Sequence, residues 1–183
     1  MRVLELFDAS NSTIVCPAGT TISARELADD GRRVGERLRG LGRVAGDRIA
    51  LQLPNGLPYL RLLLACAAAR LVVVSVNTRF TDAEAMDVIE RSGASLIVRS
   101  VEEFETVVHG GARDGAPLDK GDAEDPFMVF TTSGTTNRPK LVRHTQRSVA
   151  EHGRNAARSF GYSDADTALE RGSEAASWSV STG

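Results

Sequence analysis

The run Leu71-Val72-Val73-Val74-Ser75-Val76 constrains this chain more than any other feature. Unbroken β-branched residues with no polar alternation predict a strand buried on both faces, and such strands belong to sheets covered by helices on each side. What precedes it agrees. Arg48 to Leu53 (RIALQL) reads as a short strand ended by the turn signal Pro54-Asn55-Gly56, and an apolar helix is expected from about Pro58 to Ala69. Strand, helix, strand is the crossover unit of a parallel sheet.

The alternation extends in both directions. Ser23-Ala24-Arg25-Glu26 is a capping box, and Leu27, Val34, Leu38 and Leu41 behind it keep near-helical spacing, which predicts a helix over about 23 to 40. A second capping box, Thr81-Asp82-Ala83-Glu84, opens a helix to about Arg91, and Ser95 to Val98 reads as the next strand. From Gly110 to Asp125 the chain turns to Gly, Asp, Lys and Pro, so an exposed linker is expected there. Phe127-Met128-Val129-Phe130 then reads as a buried strand. A short apolar pair, Leu141-Val142, leads to a helix from about Thr145 to Phe160-Gly161. Four segments result: an α/β unit over 1–109, the linker over 110–125, a phosphate-loop strand, loop and helix over 126–165, and a tail over 166–183 expected to be disordered or aberrant.

Composition narrows the function classes. With 183 residues, 42% of them hydrophobic, the chain can bury a sizeable core. Lys plus Arg is 22 against 24 acids, a net charge of −2 that argues against a nucleic-acid or anionic-membrane partner. The longest apolar stretch, Leu62 to Ala69, is too short for a membrane span, and acids at Glu5 and Asp8 fall where a secretory signal needs an apolar run, so a cytoplasmic location is expected. Cys16 and Cys66, 50 positions apart, have no neighbouring Cys or His at ligand spacing, and no metal residue is assigned.

Chemistry concentrates where the Phe127–Phe130 strand ends. Thr131-Thr132-Ser133-Gly134-Thr135-Thr136 carries five hydroxyls in six positions, and Lys140 follows four residues after the last. Small side chains and a glycine let backbone N–H groups approach an anion, hydroxyls add donors, and lysine adds a point charge. A hydroxyl-rich surface turn is the alternative on pattern alone. Position favours the phosphate cradle, because open α/β sheets bind ligands beyond the carboxyl ends of their strands. The P-loop pattern fails here in two places, with Pro139 at its second glycine and Leu141 at its magnesium-binding hydroxyl. Gly40-x-Gly42-x-x-Ala45 meets the relaxed dinucleotide fingerprint but follows a charged helix and precedes a strand, so it reads as a helix-ending turn.

Thr132-Ser133-Gly134-Thr135-Thr136-Asn137-Arg138-Pro139-Lys140 resembles the T-S-G-T-T-G-x-P-K phosphate-loop signature of the AMP-forming adenylate enzymes, which include acyl-CoA synthetases, luciferases and peptide-synthetase adenylation domains. Gly46 to Asn55 is similar to the family's G-D-R-V-A-L-x-L-P-N strand and turn, Val76-Asn77-Thr78-Arg79 to its V-x-L-N-x-R segment, and Asp125-Pro126 sits where the family has an acid before the signature strand. The similarity runs from about residue 20 to residue 165. It implies a partial N-terminal domain of the adenylate-forming fold, α/β with a mainly parallel sheet and flanking helices.

It also implies a two-step reaction, in which a small-molecule carboxylate attacks the α-phosphorus of Mg²⁺-bound ATP and a thiol, coenzyme A for the full-length enzyme, then displaces AMP. Thr132, Ser133, Thr135 and Thr136 would donate hydrogen bonds to the β- and γ-phosphates, Gly134 would permit close backbone approach, and Lys140 would supply countercharge. Two residues depart from the family: Asn137 and Leu141 stand where it has glycine. Asn tolerates positive φ, and Leu141 would stiffen the loop. His144 aligns with a histidine often seen after the signature and is expected to make a structural hydrogen bond; His109 and His152 read as surface residues.

The family's adenine motif, ribose-binding Asp, hinge and C-terminal catalytic Lys have no counterpart in these 183 residues, so no catalytic residue is assigned. Leu169 to Gly183 is polar and without strand periodicity, as an altered reading frame or fragmentary gene would give. A genuine short protein with a flexible end is the alternative. The expectation is an N-terminal portion lacking a C-terminal part and inactive alone, set against a stand-alone nucleotide- or partner-binding module without catalysis.

Overall fold

The computed structural model describes residues 1–15, 19, 21–110, 115–132, 138–162, 167–169 and 179–181. In chain order these form α1 (Val3–Ala9), β1 (Thr13–Val15), β2 (Thr21–Ser23), α2 (Ala24–Gly40), β3 (Arg48–Leu51), α3 (Leu57–Ala69), β4 (Val72–Ser75) and α4 (Asp82–Ser92). There follow β5 (Leu96–Val98), α5 (Val101–His109), β6 (Pro126–Thr132), β7 (Lys140–Thr145), α6 (Gln146–Phe160), β8 (Thr167–Leu169) and β9 (Ser179–Ser181).

The central sheet has the order β5-β3-β4-β6-β7. The first four strands are parallel and β7 returns antiparallel beside β6. Their carboxyl ends therefore share one edge. Alternate residues feed two cores: Ile49, Leu51, Val73 and Val98 pack with α1, α2, α3, α5 and α6, while Ala50, Val72, Val74 and Val129 pack with α4. Phe127 and Met128 both join the first core although they are consecutive. The register shift between Pro126 and Met128 explains this, since an extra residue in a strand turns two successive side chains to one side. The Leu71–Val76 strand is buried on both faces as expected, with Val73 and Val74 fully inaccessible.

Local signals act where the sequence places them. Ser23 and Thr81 cap α2 and α4 in reciprocal boxes with Glu26 and Glu84. Leu57–Ala69 is apolar nearly all round because it is wedged between the sheet and α2. Among the described residues, no helix is long and apolar enough to cross a membrane.

Several features go beyond the sequence reading, which assigns no element to α1, β1, β2 or α5. Lys140–Thr145 is an edge strand, not merely an apolar pair before a helix; its cations face solvent, so the alternation that marks a half-buried strand is weak. Residues 115–125 are exposed or half-exposed throughout and touch the body at a few points: the Ala116 amide donates to the Glu36 carbonyl at 3.0 Å, Leu118 packs on the core, and Asp119 and Asp125 hold Arg70. Two short strands fall in the polar tail, β8 parallel to β1 and β9 antiparallel to β8.

Candidate functional site

β6 and β7 form a hairpin whose mouth opens at the carboxyl edge of the sheet. Thr132, the last residue of β6, and Lys140, the first of β7, are direct partners in the ladder, and both are exposed. Cross-strand partners share a face with Cβ atoms about 5 Å apart. Side chains bearing a hydroxyl and an ammonium thus leave the base of the connection from neighbouring positions on one face. Ser133, Gly134, Thr135, Thr136 and Asn137 lie outside the described residues. The structure therefore brings together two of the six expected site residues, Thr132 and Lys140.

Parity along the hairpin puts Phe130, Thr132, Lys140, Val142 and His144 on one face. His144 stands edge-on to Phe130, ring centroids 5.4 Å apart, so among the described residues its contact is with an aromatic ring and not the expected hydrogen bond. Leu141 points to the other face and packs into the core beneath α4. No carboxylate among the described residues pairs with Lys140.

The connection's return arm is tied to α4. Arg138 pairs with Asp87 at 3.1 Å, and Arg91 donates to the Pro139 carbonyl at 3.1 Å while itself pairing with Asp87 at 2.7 Å. Sequence reasoning assigns Asp87 and Arg91 nothing. They lie on a helix about 50 positions before the loop they hold, and only the i, i+4 spacing of the acid and the base is visible in the chain.

An exposed hydroxyl donor and an ammonium without a carboxylate partner among the described residues, at a sheet edge where ligands bind, give the site the chemistry to receive an anion. Among the described residues, no three of His, Cys, Asp or Glu come close enough to hold a metal ion. Elsewhere the titratable groups look structural. Burial pushes the Cys66 thiol up to about 12, which keeps it protonated and unreactive. Desolvation also raises the Tyr59 hydroxyl, which donates to Ser75 at 3.1 Å.

Comparison with known proteins agrees with this geometry. The family model described as AMP-binding enzyme matches residues 8–171. Feruloyl-CoA synthase from an Amycolatopsis species is 33% identical over 144 residues, covering 71% of this chain and 29% of the relative. The long-chain-fatty-acid–CoA ligase FadD13 of Mycobacterium tuberculosis is 26% identical over 142 residues, covering 64% and 28%. In fold, the o-succinylbenzoate CoA synthetase MenE of Bacillus subtilis superposes with a TM-score of 0.75 at 19% identity, over 87% of this chain and 36% of that one. The N-terminal subdomain of NpsA from Klebsiella oxytoca gives 0.71 at 22% identity, over 83% and 43%. The chain spans less than a third of these curated relatives. A match over most of its length, on a fold shared with the N-terminal region of adenylate-forming enzymes, shows that the chain belongs to the AMP-binding enzyme family.

Proposed function

We propose that this chain supplies the triphosphate-gripping N-terminal part of an AMP-forming acyl-CoA ligase. The observation that carries this is the pairing of Thr132 with Lys140 at the carboxyl edge of a parallel sheet, at the two ends of a hydroxyl-rich connection. In the overall reaction a carboxylate oxygen attacks the α-phosphorus of ATP and pyrophosphate leaves; a thiol, coenzyme A by analogy with the named relatives, then displaces AMP from the acyl adenylate. Mg²⁺ accompanying ATP would neutralise phosphate charge.

What this chain's own residues do is electrostatic and positional. The Thr132 hydroxyl donates to a terminal phosphate oxygen, and the Lys140 ammonium offsets the charge that grows on the leaving pyrophosphate. Ser133, Thr135 and Thr136 add hydroxyl donors, and Gly134 lets the backbone close on the anion. The acid is a fatty or aryl carboxylate, the classes that the names of feruloyl-CoA synthase and FadD13 carry. We place the protein in the cytoplasm, where these substrates and ATP meet. These 183 residues carry no adenine, ribose or catalytic-lysine motif, so alone they complete neither half-reaction.

Titration calorimetry of the purified chain with Mg²⁺-ATP and with inorganic tripolyphosphate tests the reading. Saturable binding of both is expected, and Lys140→Ala should weaken it about tenfold, the loss of one charge-assisted contact. Binding that is indifferent to Lys140 would remove the basis of the assignment. Carboxylate-dependent ATP–pyrophosphate exchange by the chain alone would overturn its expected inactivity.

A further inference from the structure

The arm from Arg138 to Lys140 is held by a three-residue clasp rather than by the ladder alone. One oxygen of Asp87 accepts from Arg91 Nε at 2.8 Å and pairs with its Nη2 at 2.7 Å, and the other forms an ion pair with the Arg138 guanidinium at 3.1 Å. Arg91 Nη2 also donates to the Pro139 carbonyl at 3.1 Å. That last bond matters most. The Pro139 carbonyl and the Lys140 amide belong to one planar peptide unit, and the proline ring fixes its own φ, so anchoring this carbonyl sets the direction in which the chain enters Lys140. The clasp is mounted on a stable base: α4 is capped by Thr81 and Glu84, and its Ala85, Val88 and Ile89 are buried.

Charge makes Asp87 conspicuous. A carboxylate near a site for a polyanion weakens the site electrostatically unless it serves another end. Here it orders two guanidiniums, one of which holds the arm's backbone. We propose that Asp87 is a positioning residue of the triphosphate site, fixing through Arg138 and Arg91 the arm that presents Lys140; the inference rests on the function proposed above.

The two ideas separate experimentally because they predict opposite signs. Removing a negative charge should tighten anion binding if Asp87 acts only as a charge, and should weaken it if Asp87 positions the arm. With the full chain and inorganic tripolyphosphate as probe, Asp87→Asn is expected to raise Kd roughly fivefold, the scale of a small exposed ion-pair network. Adding it to Arg138→Gln should raise Kd by less than it does alone, since both disturb one clasp. The rate of tryptic cleavage after Lys140 should rise in Asp87→Asn and in Arg138→Gln while the thermal midpoint stays near that of the parent. Unchanged or tighter binding in Asp87→Asn would overturn the positioning role and leave the triphosphate reading intact. If the parent chain fails to bind tripolyphosphate, the functional reading falls, and cleavage decides the clasp: faster cleavage in both variants supports it, and unchanged cleavage overturns it.

Discussion

Arg70 ends α3 in the left-handed region, φ 58° and ψ 33°, the one non-glycine residue with positive φ among those described. Such a conformation costs an L-residue about 1 kcal/mol, which is why glycine usually fills it. The side chain explains the choice. Its guanidinium reaches Asp125 at 2.9 Å and pairs with Asp119, fastening residues 115–125 across the foot of the sheet. Backbone and side chain therefore pull in opposite directions at one position. Arg70→Ala loses the pairs and keeps the strain, whereas Arg70→Gly loses the pairs and relieves it. Urea unfolding should find the glycine variant about 1 kcal/mol more stable than the alanine variant. Equal stabilities would mean that the strain is not felt.

Glycines decide the contact between α2 and α3. A Cβ at Gly31 would meet the Leu64 Cβ at 2.7 Å, and one at Gly35 would meet the Ala65 carbonyl oxygen at 2.9 Å and the Ala68 Cβ at 3.1 Å. The helices approach so closely because α2 offers no side chain at the two points where Leu64, Ala65 and Ala68 of α3 press against it. In an isolated helix, Gly→Ala stabilises by about 1 kcal/mol. At Gly35 overpacking against backbone should reverse that sign, leaving a net loss of about 1 kcal/mol. At Gly153 on α6 an added Cβ would meet nothing within 4 Å, so Gly153→Ala should keep the favourable sign and gain up to about 1 kcal/mol. Denaturant midpoints of the two variants moving in opposite directions is the expected result; both moving the same way would contradict it. Most elements are legible in the sequence because their signals are local. Ser23 with Glu26, Thr81 with Glu84, and the valine run each carry their meaning within a few residues. α5 has a signal of the same kind in Ser100-x-x-Glu103, where the Ser100 hydroxyl accepts from the Glu103 amide and the Glu103 carboxylate accepts from the Arg99 amide, one residue further back; the sequence reading assigns no helix to it. α1 is seven residues long and starts after Arg2, not after a usual capping residue, so its sequence gives little warning of it. β7 pairs with the strand just before it but shows only a weak alternation, and the clasp on Arg138 depends on a helix about 50 positions earlier, which no local pattern reports.

At the scale of the whole molecule, the segments on either side of residues 110–125 share one sheet through the pairing of β4 with β6, so disturbing either should be felt by both. Acid is a disturbance that reaches them together, because carboxylates with depressed pKa values are spread over the fold. Glu26 is lowered by its bonds with Ser23, Glu84 by those with Thr81, and Asp119 by Arg70. Asp30 is the most enclosed of the set. Burial raises its carboxyl, but the bonds and charges of Arg61 and Arg33 outweigh burial and bring it below the ordinary range. A group whose folded pKa is depressed takes up a proton on unfolding, so its stabilisation is present above the unfolded value, near 4, and is lost as pH falls through the folded value. Stability should therefore fall from about pH 5 to about pH 3. Asp30→Asn should cost about 2 kcal/mol at neutral pH, less than a fully buried pair because Arg33 remains in solvent, and should flatten the acid slope by removing one site of proton uptake. Urea midpoints measured across that range for parent and variant check both parts. An acid slope as steep in the variant as in the parent would show that the Asp30 pairing with Arg61 does not carry the pH dependence assigned to it.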